Sequence, residues 1–142
     1  MMYSLSFFPV GYYEDVHWEE IINNYGGPAY VEREKMMPEE AVALIARAGG
    51  LPVLAHPFTV ADPEAMVRRL KPTGLVGIEA FYRDNTAQRT RSTLDLAERY
   101  MLVATGGSDY HGNDDDEVGL GGVEVPLEAA EKLTALAART DR

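Results

Sequence analysis

The sequence has no cysteine, only three histidines and no long apolar run. The first absence excludes disulfides and thiolate metal sites outright. Basic residues are also scarce, with 13 Lys and Arg against 23 Asp and Glu for a net charge of −10. That balance argues against non-specific binding to a nucleic-acid backbone, which needs a basic surface. It does not bear on a small phosphorylated substrate, because divalent cations can supply a local positive field. The start, MMYSLSFFPVGYY, lacks a positive leading region, and Pro9 and Gly11 interrupt its short apolar stretch. Neither a secretory signal nor a membrane span is expected, so a cytoplasmic location is the default. The same segment carries Tyr3, Phe7, Phe8, Tyr12 and Tyr13, which need something to pack against. No internal repeat or low-complexity linker appears.

What is present suits one soluble domain: 142 residues, 46% of them hydrophobic, enough for an ordinary core. DVHWEEIINNY reads as a helix from Asp15 that stops before Gly26-Gly27-Pro28, and PAYVEREKM as a connector, extended at AYV. Pro38 sits where a helix takes its first residue, with Glu39 and Glu40 at the positive end of the dipole. EEAVALIARAG places Val42, Ile45 and Ala46 on one face and ends at Gly49-Gly50. LPVLAH then reads as a buried strand. ADPEAMVRRLK is a helix capped by Asp62, LVGIEAF a second strand, and TAQRTRSTLDLAERY a long helix with Leu94, Leu96, Ala97 and Tyr100 on its apolar side. MLVATGG is a third strand. VPLEAAEKLTALAAR closes the chain as a helix with Leu133, Leu136 and Ala137 inward.

From residue 38, helix and strand alternate three times, which implies an α/β architecture with parallel strands. Chemistry in such folds gathers at the carboxyl ends of the strands. Those ends here carry His56, Glu79 and the group Ser108-Asp109-Tyr110-His111. Imidazole and carboxylate together suit borderline divalent metals such as zinc, manganese or iron. Gly106 and Gly107 let the backbone turn closely before Asp109-x-His111. Pro57 should keep His56 extended rather than helical. A plainer reading stands beside the metal one: Asp109 caps a loop, His111 is a surface residue, and His56 is a satisfied histidine at a sheet end. The joint occurrence at consecutive strand ends is what favours metal.

These residues resemble a family. LPVLAHP, GLVGIEAF and LAERYMLVATGGSDYHG are similar to the later motifs of the PHP (polymerase and histidinol phosphatase) superfamily of metal-dependent phosphoesterases. The likeness is to the branch containing nucleoside 3′,5′-bisphosphate phosphatases and related RNA exonucleases. It covers roughly residues 23 to 124, including GGPAYVEREKMMPEEAVALI. The resemblance implies a distorted seven-stranded (β/α) barrel with a cluster of two or three metals at its carboxyl face. Residues 38–142 would be the C-terminal portion of that barrel, and residues 1–37 an N-terminal segment with the end of a helical insertion, or lid. The family motifs carry metal-ligand roles onto His56, Asp109 and His111. The metals would bind phosphate oxygens and lower the pKa of a bound water to about 7 for in-line attack on phosphorus. Trp18 and Tyr25 would then pack in the lid, or simply in a core.

Glu79 and Arg83 are the substrate-binding candidates. Glu79 could instead orient a ligand histidine. Arg83 meets a substrate phosphate through a bidentate contact or pairs with Asp84 or Glu79. Asn85 lies where relatives show another polar residue or histidine. Arg68, Arg69, Arg89 and Arg91 read as solvated helix charges away from the strand ends. GNDDDEVG at 112–119 lacks the spacing of a calcium loop and reads as solvated.

The family also opens with an H-x-H pair that this chain does not contain. His17, in DVHWEE, matches no such motif and reads as a surface or lid residue. The expectation is therefore a fragment lacking the first three or four βα units, inactive alone. Three barrel strands leave unpaired edges, so a homo-oligomer, in all expectation a dimer, or pairing with a separate N-terminal half should follow. The functional expectation is metal-dependent hydrolysis of a phosphomonoester, a nucleotide or a short RNA end. The alternatives are a non-catalytic remnant and an oligomeric module that binds phosphate or nucleotide.

Overall fold

The computed structural model describes residues 36–112 and 118–140. Readings of Tyr3 to Tyr25, of His17, of the lid and of the acidic run after Gly112 fall outside these residues.

Helix α1 (Pro38–Arg47) begins on its proline, has Glu39 and Glu40 in its first turn, and buries Ala41 and Val42. Its end follows from the glycine pair. Gly49, at φ 77, donates to the Ala46 carbonyl at 3.1 Å, and Gly50 donates to the Ile45 carbonyl at 2.9 Å. This is the Schellman arrangement, in which a left-handed residue satisfies the last carbonyls of the helix. Strand β1 (Val53–Leu54) follows, then a short 3-10 turn (Pro57–Thr59). Helix α2 (Pro63–Leu70) has Asp62 as its cap, whose side chain accepts from the Ala65 N–H at 2.9 Å. Strand β2 (Gly77–Tyr82), helix α3 (Ala87–Arg99), strand β3 (Val103–Gly107) and helix α4 (Leu127–Thr140) complete the order.

The strands form one parallel sheet in the order β1-β2-β3. Val42, Val67, Leu70, Leu75, Ile78, Ala97 and Leu102 make the core, with Leu54, Met66, Tyr100 and Ala104 packed against it. The alternation read from the sequence is therefore found as parallel strands with helical crossovers. Three strands do not display a barrel, and that detail stays with the resemblance. Among the described residues, no helix is long and apolar enough to cross a membrane.

Several local expectations are corrected. The strand expected over LPVLAH is two residues long, because Pro52 has no N–H and the chain turns at His56. That histidine is left-handed, at φ 46 and ψ 54, rather than extended. The rule for residues before proline points to extended backbone, and here it is overridden. What overrides it is tertiary: the His56 N–H donates to Glu79 Oε2 at 2.9 Å, and the His56 carbonyl accepts from Thr59. Leu94 is exposed, and α3 buries Thr93 and Ala97 instead. Arg69 is exposed, as read from the sequence, and makes a two-pronged pair with Glu39 of α1. Arg89 places its guanidinium 5.1 Å from the centre of the Phe58 ring, next to the turn that carries His56.

Between Glu79 and Phe81 the β2–β3 register slips. Glu79 lies opposite Thr105, Phe81 opposite Gly106 and Tyr82 opposite Gly107. Two steps along β2 thus match one along β3, which is a β-bulge. Gly106 is required there. A Cβ on it would lie 2.1 Å from the Phe81 carbonyl oxygen and 2.5 Å from Phe81 Cβ.

Candidate metal centre

His56 leaves β1, Glu79 lies within β2 rather than at its end, and Asp109 and His111 follow β3. The parallel sheet brings all four together on its carboxyl side. Two of them are left-handed non-glycine residues: His56 at φ 46 and Asp109 at φ 54. Asp and His tolerate this region better than most residues, and such positions gather at functional sites.

Asp109 is the centre of the group. Its Oδ2 is 3.8 Å from His56 Nε2, and its Oδ1 is 4.0 Å from His111 Nε2. Each carboxylate oxygen therefore faces a different imidazole. The far side of each ring faces an oxygen. His111 Nδ1 lies 2.7 Å from the Asp109 carbonyl oxygen, which can only accept, so Nδ1 carries the proton and Nε2 presents a lone pair when the ring is neutral. His56 Nδ1 lies 3.7 Å from Glu79 Oε2, the oxygen that also accepts the His56 N–H. A carboxylate or carbonyl behind the far nitrogen is how ligating histidines are oriented.

Donor chemistry and ring orientation thus fit a borderline divalent ion, and the fit is pairwise. Two ligands about 2.1 Å from a tetrahedral ion stand about 3.4 Å apart, so the separations of 3.8 and 4.0 Å need only small side-chain rotations. Among the described residues, however, no three His, Asp or Glu side chains are set around one point to hold an ion.

Of the two substrate-binding candidates, Glu79 commits one carboxylate oxygen to His56. Arg83 is half-buried beside the group, with Nε 3.8 Å from Asp84 Oδ2. Asn85 closes the end of β2 by donating to the Ala80 carbonyl at 3.0 Å. The side chain that sequence reasoning left out is Tyr82. Its hydroxyl donates to Asp109 Oδ2 at 3.5 Å, and its ring meets His56 edge to face, with centroids 4.7 Å apart and planes at 88°. Burial pushes the Tyr82 hydroxyl above its ordinary pKa. A hydrogen bond from Arg83 opposes the shift, while the Asp109 and Asp84 carboxylates reinforce it. Plain strand alternation gives no signal for this residue. The neighbouring Gly106-Gly107 pair, which can mark a bulge, is the only local hint.

An α/β fold that gathers imidazoles around a shared carboxylate at the carboxyl ends of parallel strands is the kind of scaffold metal-dependent phosphoesterases use. Comparison with known proteins points the same way. The chain is 47% identical over 73 residues to a phosphoribosyl 1,2-cyclic phosphate 1,2-diphosphodiesterase from Eggerthella lenta, a match covering 51% of this chain and 28% of that protein. It is 32% identical over 90 residues to a 3′,5′-nucleoside bisphosphate phosphatase from Chromobacterium violaceum, covering 61% of this chain and 32% of the relative. The chain thus spans about a third of the length of these curated relatives. Among solved structures, a protein assigned as a metal-dependent phosphoesterase from Bifidobacterium adolescentis superposes with a TM-score of 0.63 at 26% identity, over 78% of this chain and 40% of that one. An amidohydrolase from Chromobacterium violaceum, with sulfate and no metal bound, gives 0.62 at 28% identity with the same coverage. No protein-family model matches the chain. Sequence and structure agree on the resemblance to PHP-type metal-dependent phosphoesterases.

Proposed function

We propose that the chain contributes His56, Asp109 and His111 to a divalent-metal centre for phosphoester hydrolysis, acting on a phosphomonoester, a nucleotide or a short RNA end. The observation that carries this reading is Asp109, whose two oxygens face two imidazole Nε2 atoms at 3.8 and 4.0 Å. When bound, zinc, manganese or iron supplies Lewis-acid polarisation of the phosphoryl group and acidifies water. The chain's own residues do the rest. Glu79 anchors the His56 backbone N–H and faces its ring, the Asp109 carbonyl holds the His111 ring, and Arg83, beside the centre, offers a guanidinium fork for a phosphate oxygen.

His56 and His111 are the imidazoles at the centre, and a cluster of two or three ions needs more ligands than these. On this reading further ligands from outside the described residues complete it. A non-catalytic module that binds phosphate or nucleotide is the second reading, and the lack of a three-ligand group among the described residues favours it.

Phosphate release from a nucleoside 3′,5′-bisphosphate and from a ribose cyclic phosphate, with and without added Mn²⁺, separates the two. Turnover that depends on Mn²⁺ and is lost in Asp109→Asn is the expected result. Nucleotide binding that is indifferent to metal and to Asp109→Asn would favour the binding module.

A further inference from the structure

By plain alternation along β2, Glu79 and Phe81 share one face and Tyr82 takes the other. The bulge changes this. With Glu79 opposite Thr105, Phe81 opposite Gly106 and Tyr82 opposite Gly107, the extra residue returns Tyr82 to the face of Glu79. Re-aiming a side chain is a recurrent use of bulges beside functional sites. The sequence makes room for it, because only glycine fits at position 106, where a Cβ would meet the Phe81 carbonyl oxygen at 2.1 Å. The re-aimed side chain then touches two members of the centre. Its hydroxyl reaches Oδ2 of Asp109 at 3.5 Å, the oxygen that faces His56 Nε2, and its ring meets the His56 imidazole edge to face.

We infer that Tyr82 is a positioning residue, delivered by the β2 bulge, that holds the Asp109 carboxylate and the His56 ring in register to receive one ion. The inference rests on the metal reading above and adds a role to a residue outside the ligand set. Without the hydroxyl, Asp109 Oδ2 loses its one donor from β2, and the carboxylate is free to rotate away from His56. Without the ring, the imidazole loses the edge contact that limits its own rotation. Outer contacts of this kind typically change metal affinity by about 10–100-fold.

The test is zinc titration of the full chain against a chromophoric chelator, for wild type, Tyr82→Phe, Tyr82→Leu and Asp109→Asn, with urea unfolding of each metal-free protein alongside. Tyr82→Phe should bind zinc about tenfold more weakly, and Tyr82→Leu more weakly still. The metal-free midpoint of Tyr82→Phe should stay at the wild-type value. Wild-type affinity in Tyr82→Phe, beside a loss in Asp109→Asn, overturns the positioning role and leaves the metal reading intact. A fall in affinity matched by a fall in the metal-free midpoint makes Tyr82 a structural residue and also overturns the inference. Failure of wild type to bind zinc, or equal binding by Asp109→Asn, removes the metal reading and this inference with it.

Discussion

Replacing Gly106 with alanine should be among the most damaging single-methyl changes in the sheet. The added Cβ would stand 2.1 Å from the Phe81 carbonyl oxygen and 2.5 Å from Phe81 Cβ, whereas a carbon-to-oxygen contact normally sits at about 3.3–3.6 Å. Both neighbours are tied to the backbone, so no side-chain rotation relieves the clash, and β2 and β3 must part by about 1 Å. The pairs beyond the bulge, Phe81 with Gly106 and Tyr82 with Gly107, lie where the strands separate. Weakened hydrogen bonds there cost about 1 kcal/mol each, and overpacking strain adds about 1–3 kcal/mol. The sum is about 3–5 kcal/mol, which lowers a urea midpoint by about 2–3 M at an m-value of about 1.5 kcal/mol per molar. Gly107→Ala is the control, because nothing lies within 4 Å of its added methyl. That variant should fall within about 0.5 kcal/mol of wild type, because its methyl enters open space. Equal midpoints for the two variants would refute the close approach and, with it, the bulge that aims Tyr82.

Truncating Ile78, which is fully buried between β1, β3 and the helices, to alanine should cost about 2–5 kcal/mol in urea unfolding, and to valine about 1 kcal/mol. Asp62→Ala should remove about 1 kcal/mol by uncapping α2, while Asp62→Asn, which still accepts the Ala65 N–H, should retain most of it. Glu64 accepts from the Tyr100 hydroxyl at 2.8 Å and from Arg99 at 2.7 Å, and these hold its pKa below the ordinary 4.5. A lowered folded-state pKa stabilises above the unfolded value and loses that effect as pH falls through the folded one. Wild type should therefore exceed Glu64→Gln in urea midpoint at pH 7, and the gap should close as pH drops below 4.5. A gap unchanged at pH 3 would contradict the pairing.

Local signals in the sequence carried much of the fold. Gly49-Gly50 after α1, Asp62-Pro63 before α2 and the apolar runs of β2 and β3 each act within a turn or a strand, so their outcome does not depend on distant partners. The features that a linear reading missed depend on residues 23 to 30 positions away. His56 turns left-handed because Glu79 receives its N–H, where the rule for residues before proline had pointed to extended backbone. Arg69 finds Glu39 across two helices. The bulge arises where Gly106 lets β3 press against Phe81, and it turns Tyr82 to a face that plain alternation would not give it. At the candidate centre, residue types at strand ends pointed to His56, Asp109 and His111. The division of Asp109 between two imidazoles, and the turn of Glu79 toward His56, are properties of the folded loops.

Metal content measures the central claim most directly. Wild type and an Asp109→Asn, His111→Ala double variant, purified alike, loaded with zinc or manganese and dialysed, would be compared by elemental analysis, with circular dichroism to confirm equal folding. Near-stoichiometric metal in wild type and none in the variant is the expected result. Metal-free wild type, or equal metal in both proteins, would contradict a centre built on Asp109.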